Sequence, residues 1–253
     1  MARFDIQSLT RRQPVARGCR GRPGERRLRR VCVLSLLLLL SGLISSGRAL
    51  QADEFSQTSH YSARLFSGGT LIIDSRVGDI HVAGLDDPHV QVEAEKVVRA
   101  GSQAAANPMF DRIQVVLEGQ DKEVRLHTDY PPRRLWRPFR GESKLTVNFE
   151  IKMPYDANLV LRCVDGDVRV AGVTGHEKLR VNYGDVEIDV PSLERLRSLY
   201  AHTLLGYVES DLHGTTQDGA GFSQQVSFWN GRGTQEVAVR VRMGGVFVYS
   251  DPQ

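Results

Sequence analysis

Through most of residues 60 to 250, apolar and polar side chains alternate with a period of two, and glycine interrupts the alternation at spaced intervals. With the glycine as origin, the recurring phrase reads apolar-x-apolar-x-x-Gly-x-apolar-x-apolar. One copy holds Leu161, Cys163, Gly166, Val168 and Val170, and the next holds Leu179, Val181, Gly184, Val186 and Ile188. Upstream, Leu71 and Ile73 precede Gly78, then Ile80 and Val82, with Ser75 a polar exception. Near the C-terminus, Val239 and Val241 precede Gly244, then Val246 and Val248. A further copy centres on Gly206, with Leu199, Ala201 and Thr203 before it and Val208 after it, but has Ser210 at the last apolar position. A period of two belongs to strands, whose side chains point alternately to opposite faces.

From Gly166 onward the glycines are spaced by 18, 22 and 38 residues, the last close to two units. Repeats of roughly 20 residues are one supersecondary unit each, stacked so that neighbours share a continuous core. The pattern therefore predicts an all-β fold, a β-solenoid or β-roll-like stack of short strands. The segment "QQVSFWNGRG" falls where a unit is missing and is expected to be a degenerate coil around Gly231. "RIQVVLEG", "KEVRLHTD" and "KLTVNFEIKMP" alternate as strands. "RAGSQAAANP" reads as a connecting loop, and "PSLERLRSLY" as a helical turn or a strand edge.

Aspartate follows three of the glycines, at Asp79, Asp167 and Asp185. Glycine supplies backbone conformations closed to other residues, and aspartate bonds to nearby amides, so Gly78, Asp79, Gly166, Asp167, Gly184, Asp185, Gly206 and Gly244 are expected to be structural turn residues. Calcium ligation by these aspartates would need denser Gly-Gly-x-Gly-x-Asp nonapeptides, which are missing from this sequence.

The first fifty residues have another character. A long arginine-rich opening runs into "VCVLSLLLLLSGLI" and then into small residues, the order of a secretory signal peptide over residues 1–49. Gly47 and Ala49 occupy the −3 and −1 positions of one cut, and Ala52 offers another. The apolar run is shorter than the roughly 20 residues of a membrane span. An uncleaved signal anchor is the competing reading, and Arg29 and Arg30 form an incomplete twin-arginine motif. Residues 50–253 are expected to be a single domain, exported to the periplasm, the envelope or the medium.

This division changes the charge. The whole chain holds 33 basic and 30 acidic side chains, a net of +3. Residues 1–49 carry eleven of the former and two of the latter, leaving 22 basic against 28 acidic residues and a net of about −6. The basicity belongs to targeting, which argues against a nucleic-acid partner. Cys19 and Cys32 leave with the signal, so Cys163 has no internal disulfide partner and the fold must rest on its apolar core.

Candidate chemistry is sparse. Asp167 and Asp185 are placed to stack one coil apart, the arrangement of a glycosidase carboxylate pair, yet equivalent turn positions account for the same spacing. The histidines lack metal-ligand spacing, no G-x-S-x-G elbow or phosphate loop occurs, and Cys163 falls on an inward position. No catalytic residue, metal ligand or cofactor is assigned. The most distinctive surface candidate is "YPPRRLWRPFRG", where Arg133, Arg134, Arg137 and Arg140 are interleaved with Trp136 and Phe139. Such a loop either binds acidic glycans, anionic headgroups or a protein partner through charge and stacking, or caps one end of the stack.

"GGTLIIDSRVGDIHVAGLDDPHVQVEAEK", "FEIKMPYDANLVLRCVDGDVRVAGVTG" and "VAVRVRMGGVFV" resemble the bacterial putative-adhesin family of β-strand-repeat domains of unknown function, over most of residues 60 to 250. The resemblance implies an exported β-solenoid or β-roll and brings no catalytic residues with it. The expected function is a non-enzymatic, adhesin-like surface for adhesion or contact with an envelope polymer, a glycan or a protein partner. A stress-sensing or regulatory scaffold of the envelope and a carbohydrate-active β-helix enzyme are the alternatives.

Overall fold

A computed structural model of the chain describes residues 53–130 and 145–250. Alternation becomes strand almost throughout: fifteen strands join in one hydrogen-bonded sheet that does not close on itself.

Strand β1 (Asp53–Val77) links the two parts of that sheet. Its first half pairs antiparallel with β3 (His89–Ala100), from Asp53 opposite Ala100 to Arg64 opposite His89. Past a register break between Leu65 and Thr70, its second half runs parallel to both β4 (Gln114–Asp129) and β6 (Asn158–Asp165). β2 (Ile80–Leu85) lies parallel to β5 (Leu145–Pro154) and β7 (Val168–Ala171), while β5 pairs antiparallel with β3.

The glycine phrases occupy the remaining parallel ladders. Each places one strand before its glycine and one after it: β8 (Glu177–Tyr183) with β9 (Val186–Val190), β10 (Leu196–Leu205) with β11 (Val208–Ser210), and β14 (Gln235–Met243) with β15 (Val246–Ser250). The strands before the glycines pair in the order β1, β6, β8, β14, β10, and those after them in the order β2, β7, β9, β15, β11. Equivalent residues are opposite one another, so inward positions form columns. Ile73, Leu161, Leu179, Val239 and Ala201 make one, and Ile80, Val168, Val186, Val246 and Val208 another; all are buried. β-Branched side chains suit such half-buried pleated surfaces.

Three expectations are corrected here. The C-terminal phrase at Gly244 inserts between those of Gly184 and Gly206, so order along the stack departs from order along the chain. The predicted degenerate coil at Gly231 is no coil: β12 (Thr216–Ala220) and β13 (Ser223–Trp229) form an antiparallel hairpin, and β13 runs antiparallel to β10. The hairpin covers the outer edge that β10 would otherwise expose to pairing with other chains. The expected loop near residue 103 is instead helix α1 (Gln103–Phe110). Ser102 Oγ caps it by accepting from Ala105 N, and Ala106 and Phe110 pack with Val98 and Ala100. In "PSLERLRSLY", residues 191–200, the expected helical turn or strand edge resolves from Leu196 onward into strand β10.

Candidate functional site

The glycines of the phrase stack into a column along one turn edge. Gly78, Gly166, Gly184, Gly244 and Gly206 all have positive φ, between 127° and 152°. A methyl group added at Gly166 would stand 2.1 Å from Gly78 O, one at Gly184 2.2 Å from Gly166 O, one at Gly244 2.0 Å from Gly184 O, and one at Gly206 2.0 Å from Gly244 O. The aspartates form a second ladder beside them. Asp79 Oδ1 accepts from Asp167 N at 3.0 Å, Asp167 Oδ1 from Asp185 N at 2.8 Å, and Asp185 Oδ1 from Gly245 N at 2.6 Å. Asp167 and Asp185 thus precede adjacent parallel strands, β7 and β9, and each of these carboxylates is engaged with backbone.

The outer faces of the two rows of strands differ in charge. On the β2, β7 and β9 side, acids and bases pair: His81 with Glu150 at 2.8 Å, His60 with Glu93 at 4.0 Å, and Arg169 with Glu187 and Asp189 at 3.3 and 3.8 Å, while β15 contributes the stacked rings of Phe247 and Tyr249. A shallow groove of about 370 Å³ lies over this region, lined by His60, His89, Glu93, Glu150 and Lys152 among others. No group of three or more potential metal ligands occurs among the described residues.

The opposite face is basic. Asp74, Arg162, Arg180, Arg240 and His202 are directly opposite one another on β1, β6, β8, β14 and β10. Lys178 lies beside Arg180, Arg242 beside Arg240, and the Arg240 guanidinium stands 5.7 Å from the Tyr200 ring, which in turn stacks on His202. Arg162 reaches Asp74 at 3.7 Å. Among the described residues, Arg180, Arg240, Arg242 and Lys178 have no ion-pair partner. A hollow of about 220 Å³ between Val160, Arg162, Lys178 and Arg180 opens on this face. Like charges directly opposite on neighbouring strands are destabilising, so the row is held in place by the register of the apolar columns beneath it.

Composition could not reveal this row, because the acidic total hides a basic face. The signal that could have found it is the 18-residue offset from Arg162 to Arg180, the same offset as from Gly166 to Gly184.

Further groups with chemical potential sit inside or near the sheet. Glu177 is buried in the inward column between Leu159 and Val237. Burial pushes its carboxyl up to about 8, against the opposing pull of the Gln235 hydrogen bond. Sealed from solvent, it acts on the core and not on a substrate. Burial likewise raises the Cys163 thiol to about 11, with Sγ 3.9 Å from Gly78 O, so this cysteine is held as a thiol. Ser223 Oγ stands 3.1 Å from His202 Nε2 and also 3.1 Å from Thr203 O, to which it donates. Among the described residues no acid bonds the other nitrogen of His202, so nothing orients this ring as a base.

Arg133, Arg134, Trp136, Arg137, Phe139 and Arg140 lie outside the described residues, as does the segment 1–49. No helix among the described residues is long and apolar enough to cross a membrane.

No family model and no curated protein matches the chain. Its similarities are to solved structures. A putative cell adhesion protein from Clostridium sporogenes shares 10% identity, covers 77% of this chain and 100% of its own length, and superposes with a TM-score of 0.47. A putative adhesin from Bacteroides fragilis shares 10% identity over 79% of this chain and 99% of its own, with a TM-score of 0.25. A putative lipid binding protein from Parabacteroides distasonis shares 10% over 79% and 98%, with a TM-score of 0.24.

Proposed function

We propose that the chain is an exported, non-enzymatic, adhesin-like protein whose repeats build a solenoid-like stack, and that its basic sheet face contacts an anionic envelope polymer such as an acidic glycan. The observation that carries this is the row Arg162, Arg180 and Arg240, in register on three adjacent strands, with Asp74 next in line on one side and His202, Gln225 and Asp218 on the other. Neighbouring strands are roughly 4.8 Å apart, so the row offers regularly spaced guanidinium groups along a rigid line. Guanidinium forks suit carboxylate and sulfate groups, and Tyr200 supplies an aromatic surface beside them. A folded chain tolerates the mutual repulsion of the row at some cost in stability, and a bound polyanion relieves it.

Residues 1–49 act as the export signal in this proposal, and the segment bearing Arg134, Trp136 and Arg137 is a second candidate contact. Calorimetric titration with alginate, a linear polyuronate, tests both. Arg180→Ser/Arg240→Ser is expected to weaken binding about tenfold or more, with the salt dependence reduced. Loss only in Arg134→Ala/Trp136→Ala/Arg137→Ala would move the contact to that segment. Absence of binding to alginate and to the source cell's own envelope fractions would overturn the proposal.

A further inference from the structure

The turn edge changes character along the stack. Around the first glycines it is acidic, with Asp165, Asp79, Asp167 and Asp185. Beyond Gly184 the same positions become apolar. Tyr183 is opposite Met243, and Met243 opposite Leu205; the bond from Gly206 N to Phe222 O sets Phe222 next in line. Where Asp185 follows its glycine in one coil, Gly245 and then Tyr207 stand in the next two. Tyr183, Met243 and Leu205 are each a little over 40% exposed, Leu204 and Tyr207 nearly half, and Phe222 80%. The Tyr207 ring packs edge-on against Phe247, with centroids 5.3 Å apart.

Scattered exposed apolar side chains are ordinary, but three in register on adjacent strands with Phe222 next in line form a patch. Its shape narrows the occupant. The side chains stand on neighbouring strand ends, so they form a narrow ridge about three strand spacings long, roughly 14 Å. So few side chains fall short of the roughly 800 Å² per partner that a stable protein pair buries, whereas a lipid interface takes up a handful of inserted side chains reversibly. Tyr and Phe also suit the headgroup boundary, where one part of a side chain is apolar and the rest wet. The flank supplies the charge: Arg242 precedes Met243, and Arg240 and Arg180 lie further along the same basic face.

We infer that the ridge Tyr183–Met243–Leu205–Phe222 seats the protein on an anionic lipid surface, with the apolar side chains entering the interface and Arg242 meeting the headgroups. This goes beyond polymer contact, because it uses the turn edge and leaves most of the basic face open. The attachment is peripheral, since a handful of inserted side chains gives reversible binding and not a span.

The test is cosedimentation of the full chain, expressed with its own N-terminal segment and purified in its processed form, with phosphatidylcholine vesicles with and without phosphatidylglycerol. Wild type is expected to bind only the anionic vesicles. Leu205→Ser/Phe222→Ser is expected to lose at least about tenfold in affinity while keeping its melting temperature and its alginate binding. Arg242→Ser should weaken binding to anionic vesicles alone. No vesicle binding by wild type overturns the inference, as does equal binding by the ridge variant. Self-association that the ridge variant abolishes, without vesicle binding, overturns it too and assigns the ridge to a second copy.

Discussion

Gln235 Nε2 donates to Glu177 Oε1 at 3.0 Å where β14 and β8 enter the buried core, and the same nitrogen donates to Val173 O at 3.0 Å. Glu177 Oε2 and Gln235 Oε1 are buried as well, and neither has a protein partner among the described residues. An ionised carboxylate in this setting would face Leu159 and Val237 with one of its oxygens unsolvated, a costly state. A protonated carboxyl avoids that charge, which is why burial raises this group so far.

The sign of the resulting pH dependence follows from linkage. The free carboxyl titrates near 4.5 and the folded one at about 8. Between those values the folded chain keeps a proton that the unfolded chain has released, so stability falls as pH rises through the window and levels off above it. Urea denaturation from about pH 5 to about pH 9 should show a falling midpoint for wild type. Glu177→Gln, which mimics the neutral acid, should remove this component and be the more stable protein at the alkaline end. An unchanged slope in the variant would refute the assignment.

Gly184 tests the turn column. Its φ is 127°, and a Cβ there would stand 2.2 Å from Gly166 O, a backbone atom that cannot swing aside. Gly184→Ala is expected to cost more than about 3 kcal/mol, through combined backbone strain and overlap. Gly101→Ala, where an added methyl meets nothing within 4 Å, is the control and should be near neutral. Thermal melts of the two variants decide the matter.

Much of this architecture is legible in the alternation itself. Leu179, Val181, Val186 and Ile188 point inward as their period of two requires, and all are buried. Extending the same alternation back one step lands on Glu177, so the buried acid could have been found from its register. The order of the repeats could not. Phrases so alike carry no address, and insertion of the Gly244 unit ahead of the Gly206 unit depends on where β12 and β13 turn back. Thr203 marks the difference after the fact: its hydroxyl donates to Gly244 O at 2.9 Å, where Cys163 points its sulfur at Gly78 O. The helix at residue 103 escaped because its signals were weak: Ser102 caps a run of alanines that a Pro108 interrupts. The basic face escaped because it exists only once β6, β8 and β14 are aligned.

The aspartate ladder makes a separate claim on stability. Asp185 Oδ1 accepts from Gly245 N, and removal of that acceptor leaves a buried glycine amide without its bond. Asp185→Ala should cost about 1–2 kcal/mol, while Asp185→Asn, which keeps an acceptor, should recover most of it. If the carboxylates were instead calcium ligands, calcium would raise the melting temperature of wild type and not of Asp185→Asn. The ladder predicts no such difference.

The arginine row carries an opposite expectation, in which removing side chains helps the fold. Arg180 lies between Arg162 and Arg240, and each neighbour is directly opposite on an adjacent strand. Cross-strand pairs of like charge cost about 0.2–1 kcal/mol, and salt screens them because they are exposed. Arg180→Ser should therefore melt higher than wild type at low ionic strength, and the gap should close as salt is added. Added alginate should narrow or reverse the ranking, stabilising wild type by binding the folded state more than it stabilises the variant. A variant less stable than wild type at low salt would mean that the guanidinium serves the fold through packing of its stem, and would remove the case for reading this row as a binding surface.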